Sequence, residues 1–325
     1  MEKIFKIVPP QYFVTNLKQN KLGSIKLAIL REVTGNLIIR SNYPDETITF
    51  KFSDKKDLVE IPARKLKSRE KLLGLKTCRE FGVVDETLRY NVIKKSEHLA
   101  NPNSILFGDS VTEQNDAVGL SSRVIYDWAY SIRDVSDITA TLQHNALSEG
   151  GTMWDEEDGG LRQSLFQVQY IKPNTFFPHF ITLENVTPEL FVHLLICVMY
   201  ESRYGAQSTT LSSNNVKNHI LGVGFSRFEQ PINSFTISKE WKDGEAVTLE
   251  NVKNVINVKM KAAYGETNYK SGDELTKVIS DLWDTNTDEL KNMYVNSQKT
   301  CEQFLKDIKV ISTPVAKIKK DDKSN

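Results

Sequence analysis

Apolar and polar positions along this chain repeat with two periods, and the switches between them mark out its elements. Ile25-Lys26-Leu27-Ala28-Ile29-Leu30 and Asn36-Leu37-Ile38-Ile39-Arg40 read as two short strands split by the turn residues Thr34-Gly35, so a strand pair opens the fold. Residues 47–52 alternate like a further strand, and Pro62 then introduces residues 63–73, a strongly basic helix candidate. The turn Asn101-Pro102-Asn103 leads into a short apolar run at 105–108 and a polar loop at 109–121. Val124, Tyr126, Trp128 and Tyr130 share one face of a period-two segment. Aromatics so placed either pack a core or stack bases.

Residues 148–160 are rich in glycine and acid and lie between the strand-like segments 138–142 and 165–171, which predicts a long hairpin-like excursion. Met153 and Trp154 fall near its tip, where an apolar residue either marks a contact surface or folds back on the core. Lys172-Pro173-Asn174 turns the chain into a strand over 176–183 that holds Pro178 at a bulge or an edge position. Thr187 as cap, Pro188 at the first helical position and Glu189 on the positive end then start a helix. Apolar residues at 190, 191, 194, 195, 198 and 199 give it one buried face with His193 beside it, and the expected stop is Gly205 after Tyr204. Residues 216–225 form the next strand. From 231 to about 312 the pattern is mostly helical, with a capping-box spacing from Ser271 to Glu274, and the Lys/Asp-rich residues 313–325 read as a disordered tail. Strands, a basic helix, a hairpin, a helix and a final strand make an α+β order that fits a βαββαβ, ferredoxin-like or RRM-like core.

Composition narrows the class. A chain of 325 residues with 39% hydrophobic and 26% charged residues is ordinary globular material. Cys78, Cys197 and Cys301 lie about a hundred residues apart, which argues against a disulfide framework or a cysteine-rich zinc site. Runs of about eighteen apolar residues are absent, as is a signal-peptide pattern, so the expectation is a cytoplasmic protein without a membrane partner. The 42 basic and 42 acidic residues cancel. Their distribution is uneven: residues 1–100 hold 20 Lys/Arg against 12 Asp/Glu (+8), whereas residues 101–162 hold 3 against 11 (−8). That asymmetry suits a subunit with one nucleic-acid face and one face for a basic neighbour, or charges that mix once folded.

Candidate chemistry points to binding. The five histidines show no paired ligand spacing, there is no GxSxG, and Gly222-Val223-Gly224 is too short for a P-loop, so no metal, no cofactor and no catalytic residue is expected. The acidic run Asp155-Glu156-Glu157-Asp158 reads as solvated loop. Arg64, Lys65, Lys67, Arg69 and Lys71 recur around a helix, either as phosphate donors or as a solvated face. The turn at 203–210 gathers Arg203, a ring at Tyr204, Gly205 for close backbone approach, then Gln207, Ser208 and Thr209 for phosphates and 2′-hydroxyls. Lys217 and His219 follow on one face of the next strand.

Five segments in this order carry a resemblance: Asn101-Pro-Asn-Ser-Ile-Leu-Phe-Gly108, Ser148-Glu-Gly-Gly-Thr-Met153, Ile171-Lys-Pro-Asn-Thr-Phe-Phe-Pro178, Arg203-Tyr-Gly-Ala-Gln-Ser-Thr-Thr210 and Val216-Lys-Asn-His219. Together the chain resembles the backbone subunit of type I-D CRISPR Cascade, a Csc-type member of the RAMP superfamily, most clearly over 101–225. The resemblance implies a modified RRM-like core over 1–230 with a basic helical insertion at about 60–100. It implies a thumb-like β-hairpin at 148–172, for which the loop 109–121 competes, and Met153 and Trp154 as its wedge residues. Copies would stack in a helical filament along one crRNA, alongside other Cascade subunits, and present the guide to target DNA. The implied RNA contacts are the basic helix, Arg123, Arg162, Lys172, the 203–209 turn, Lys217 and His219. The alternative is a nuclease, either with His219 and Tyr204 as acid/base pair or with an acidic loop residue cutting the target. The zinc insertion of some relatives has no recognisable ligands here.

Overall fold

The computed structural model describes residues 1–311 apart from 41–42, 44–45, 54–55, 89–91, 113–116, 146–153, 156–158, 162–164, 208–211 and 243; at 144, 145, 155, 161, 165 and 166 it describes the backbone alone. Met153, Arg162, Ser208, Thr209, most of the acidic run and the expected tail at 313–325 lie outside the described residues.

The core follows the order strand β1 (Ser24–Val33), helix α1 (Ala63–Glu80), strand β2 (Val124–Tyr126), strand β3 (Phe176–Glu184), helix α2 (Pro188–Tyr200) and strand β4 (Val216–Ser226). The strands lie side by side as β4-β1-β3-β2, each antiparallel to its neighbour. That is the arrangement of a βαββαβ unit, so the fold is α+β with an RRM-like core, as the residue pattern predicts. A short strand β5 (Tyr269–Ser271) extends the sheet beyond β4. Pro178 sits opposite Leu30, and its side of β3 lies beyond the reach of β2, which pairs only with residues 181–183. The missing N–H therefore costs no ladder bond.

Two elements differ from the pattern-based reading. The opening strand pair is one ten-residue strand, and residues 37, 38 and 40 make only isolated bridges, to Ile171, Ala206 and Thr47. With β3 and β4 on its two edges, β1 has no edge left for a hairpin partner. The segment 124–130 is two strands: Val124–Tyr126 belongs to the main sheet and Ala129–Asp134 to a separate three-stranded sheet with Thr49–Ser53 and Lys56–Ile61. Tyr126 is consequently buried, whereas Trp128 stands 43% exposed at the break. The hairpin is present: Thr139–Asn145 pairs with Leu165–Ile171, and Trp154–Asp155 with Gly160–Leu161. A second, shorter one joins Asp109–Val111 to Val118–Leu120.

Helices line both faces of the sheet. On one face α1 and α2 pack with helices α4 (Gly272–Asp284) and α5 (Thr287–Asp307), burying Ile25, Leu27, Ile29, Phe191, Leu195, Leu290 and Leu305 in one cluster. Across the sheet, helix α3 (Leu249–Asn268) lays Val252, Ile256, Met260 and Tyr264 over Ala28, Leu30, Phe180 and Leu221. A side chain at Gly224 would overlap the Tyr264 ring, so the bare strand lets α3 approach closely. In an RRM this open face stacks bases. Here it is occupied by the chain itself. No helix among the described residues is long and apolar enough to cross a membrane.

His193 is a packed core residue, fully buried beside the apolar face of α2. Its Nδ1 accepts from the Tyr294 hydroxyl at 2.7 Å and its Nε2 donates to Asn103 Oδ1 at 3.2 Å, and burial pushes its pKa down to about 3. An unfolded imidazole titrates near pH 6.5. The folded value is depressed, so this contribution to stability is complete above about pH 6.5 and is lost as pH falls toward 3, at roughly 1.4 kcal/mol per pH unit at the steepest. Urea unfolding between pH 4 and 7 should therefore give a steeper acid limb for the wild type than for His193→Gln; equal slopes would contradict the assignment.

Candidate nucleic-acid interface

Helix α1 begins after Pro62 and turns Leu66, Glu70, Gly74, Leu75 and Cys78 into the core. Its five cations then divide by what they touch. Lys67 donates to Ser122 Oγ at 2.6 Å, and burial, helped by Lys71, brings its pKa down to about 8. Lys71 ion-pairs with Asp109 and donates to the Gly108 carbonyl at 2.7 Å. Arg69 donates from Nε to the Arg203 carbonyl at 2.6 Å and lies 3.8 Å from Glu201. These three hold the fold together. Arg64 is exposed and Lys65 half-buried, and neither has an acidic partner among the described residues. The Lys65 pKa is lowered by burial and then by Arg64 and Arg40, so both arginines lie close enough to disfavour its charge. Arg40 also carries a buried Nε with no acceptor among the described residues.

Arg40 lies beside the hairpin root. It bridges Thr47, whose amide donates to Gln169 Oε1 at 2.9 Å, while Gln169 Nε2 donates to Thr139 Oγ1 at 3.2 Å and Leu37 pairs with Ile171. Lys172, half-buried, closes the root through its amide to the Ile138 carbonyl at 2.7 Å. Arg40 is not among the residues expected from sequence. It ends an apolar run, and nothing local distinguishes it from any strand-terminal arginine.

The loop after α2 is held by side chains. Helix α2 ends at Tyr200, and Gly205 is not its stop: Glu201 is already extended, and Asn218 Nδ2 donates to the Val198 and Glu201 carbonyls at 2.8 and 3.0 Å. Glu201 Oε1 accepts from the amides of Ser202 and Arg203 at 3.1 and 2.7 Å. Asn215 clamps Tyr204 at both backbone groups, accepting from its N–H at 3.0 Å and donating to its C=O at 2.8 Å. Gly205 has φ +76° and a side chain there would overlap the Ile38 carbonyl, to which Ala206 donates at 3.0 Å. Its close approach is to the chain's own backbone. Arg203 is exposed, and Gln207 is half-buried at φ +53°.

Tyr204 is 1% exposed, which corrects its expected role as a stacking ring. Its hydroxyl donates to Glu70 Oε1 at 2.7 Å and lies 3.0 Å from Arg31 Nη1 and 2.9 Å from Asn218 Nδ2. Glu70 also accepts from Tyr126 and pairs with Arg31 at 2.8 Å, and Arg31 donates to Asn218 Oδ1 at 2.9 Å. His179 Nδ1 accepts from Arg31 Nη2 at 3.1 Å while its Nε2 donates to the Asp127 carbonyl at 3.0 Å. Burial works against the Arg31 charge, yet Glu70 more than compensates and its pKa is raised; burial and then Arg31 hold His179 neutral, far below the usual histidine range. Burial and then Glu70 raise the Tyr204 phenol well above its ordinary value.

Three further expectations meet the structure. Arg123 is internal: it donates to the carbonyls of Asn185 and, at 2.8 Å, Leu17, and lies 5.3 Å over the Phe304 ring. Lys217 and His219 alternate with Asn218 and so face α3, away from Tyr204; Lys217 is exposed and His219 Nε2 sits 2.7 Å from Glu32 Oε2. His219 and Tyr204 therefore form no acid/base pair. Trp154 is 50% exposed on the hairpin.

A family model described as Csc2 CRISPR matches residues 17–318. The chain belongs to the Csc2 CRISPR family. The crystal structure of Thermofilum pendens Csc2 superposes with a TM-score of 0.62 at 19% identity, covering 92% of this chain and 95% of that one, so the Csc2 likeness extends to the fold. A chain of a CRISPR RNA-guided surveillance complex gives a TM-score of 0.46 at 11% identity over 72% of this chain and 82% of that one. A chain of a pre-nicking surveillance complex gives 0.46 at 11% over 74% and 89%. No curated protein matches the sequence.

For this Csc2-family chain, removing one partner of the Arg31/Glu70 pair leaves a buried charge unpaired, which costs about 3–5 kcal/mol. Glu70→Leu and Arg31→Met should each lower the urea midpoint strongly, and the double variant should recover much of that loss. Independent, additive losses in a double-mutant cycle would show that the two charges are not coupled.

Proposed function

We propose that this chain is a crRNA-binding backbone subunit of a type I-D Cascade complex, working in the cytoplasm, stacking copy on copy along the guide and presenting it for pairing with target DNA. Family membership supports the CRISPR setting. The observation that carries the RNA-binding reading is the group of cations Arg40, Arg64 and Lys65, without acidic partners among the described residues, in which both arginines disfavour the Lys65 charge, beside the hairpin root and near the loop that exposes Arg203. Like charges packed in this way raise the energy of the free protein, and a phosphate backbone relieves it. Cations already bonded within the chain, such as Lys67, Lys71 and Arg123, have little left to offer a ligand.

In this reading the subunit is a scaffold and not an enzyme. Guide and target recognise each other by base pairing, and the protein supplies shape and charge. The covered sheet face moves RNA contact from a stacking platform to the end of the sheet where the 201–207 loop, the start of α1 and the hairpin root meet. Among the described residues no group of three or more His, Cys, Asp or Glu is placed to hold a metal.

Salt titration of single-stranded RNA binding by fluorescence anisotropy tests this. Wild-type log K should fall linearly with log salt, and the variant Arg40→Ala/Arg64→Ala/Lys65→Ala should reduce the slope by about 2, at roughly 0.7 for each phosphate no longer neutralised. Lys67→Ala serves as the control and should keep the wild-type slope. An unchanged slope in the triple variant would remove the proposed interface.

A further inference from the structure

Resting on that RNA-binding reading, we propose that Tyr204 is a positioning residue: its buried hydroxyl, shared by Glu70 of α1, Arg31 of β1 and Asn218 of β4, fixes the 201–206 loop so that Arg203 is already set when RNA arrives. The loop belongs to neither a helix nor a strand of the sheet. Its backbone groups are tied by the side chains of Glu201, Asn215 and Asn218 and by one bridge to Ile38. Of the residues 201–206, Tyr204 is the one whose side chain bonds to the buried ion pair. A loop so anchored presents its charge without an ordering cost at the moment of binding.

The hydroxyl can be removed without stranding the charges. In Tyr204→Phe, Glu70 keeps Arg31 and Tyr126, and Arg31 keeps Asn218 and His179. The variant keeps the ring's volume and should fold. Tyr126→Phe is the matched control, because it removes a hydroxyl from the same carboxylate on β2, outside the loop.

Native-state hydrogen exchange and RNA titration read the difference. Tyr204→Phe should speed exchange at the amides of residues 203–206 by about tenfold, the size expected for removing one buried hydrogen bond, while β1 stays protected. Its RNA affinity should fall several-fold with the salt slope unchanged, since the number of cations is the same. Tyr126→Phe should lower the melting temperature comparably yet leave both loop exchange and RNA affinity as in the wild type. Unchanged loop exchange in Tyr204→Phe, or equal effects of the two variants on loop and affinity, would overturn the positioning role. A wild type that binds RNA without salt dependence would instead sink the RNA-binding reading, and the exchange comparison would still decide whether Tyr204 fixes the loop.

Discussion

Arg31 and Glu70 lie 2.8 Å apart inside the core, Arg31 1% exposed and Glu70 fully shielded from water, and neither charge is tolerable there without the other. Moving one such ion out of water costs several kcal/mol even after relaxation, and attraction alone offsets it only when the remaining hydrogen-bonding capacity is met. Here it is met, apart from the Arg31 Nε, which has no acceptor among the described residues, by neutral groups drawn from around the fold: Tyr126 on β2, His179 on β3, Tyr204 after α2 and Asn218 on β4. The pair itself joins β1 to α1. Every strand of the βαββαβ core and its first helix thus contribute one polar group to a single site. A register slip of one residue in β1 would turn Arg31 to the α3 face and leave Glu70 alone. The network specifies alignment as well as contributing energy.

The second constraint is the occupied outer face of the sheet. Ala28, Leu30, Phe180 and Leu221 are covered by Ile256, Met260 and Tyr264, and Gly224 of β4 lets the Tyr264 ring lie against the strand. A ligand cannot reach that surface without displacing α3. In the proposed reading nucleic acid is left the end of the sheet, where the backbone emerges from β1 and enters β4. That is also where the Arg31/Glu70 site sits behind the 201–207 loop, so core packing and the candidate interface share their supports.

The sequence is legible where the physics is local. The Thr187 cap, Pro188 and the apolar stripe of α2 depend on neighbours within a turn, and so does the basic helix after Pro62. The hairpin before β3 is likewise a matter of alternation and glycine. Features set by distant partners are not legible. Gly205 looks like a helix stop, but α2 is ended by an Asn218 amide arriving from β4. Tyr204 looks like a stacking ring beside an arginine, and only the fold brings Glu70 under its hydroxyl. The 124–130 alternation holds in sequence and breaks in space, because the Asp127 amide still bonds to the Phe180 carbonyl of β3 whereas from Ala129 the chain pairs with Lys56–Ile61 instead.

The same logic governs charge. A count of basic residues treats Lys67, Lys71, Arg69, Arg123, Arg64 and Lys65 as equivalents, and the net charge of zero treats all of them as cancelled. In space the first four are bonded to serine, aspartate or carbonyl groups and are committed to the fold. Arg64 and Arg40 instead disfavour the charge on Lys65, and that repulsion is offset by stabilising contacts elsewhere in the fold. An electrically neutral chain can therefore carry a strongly anion-seeking surface, provided its acidic residues are paired with other cations. Arg40 belongs to that surface through the bridge to Thr47 and the hairpin root, a relation no spacing in the sequence encodes.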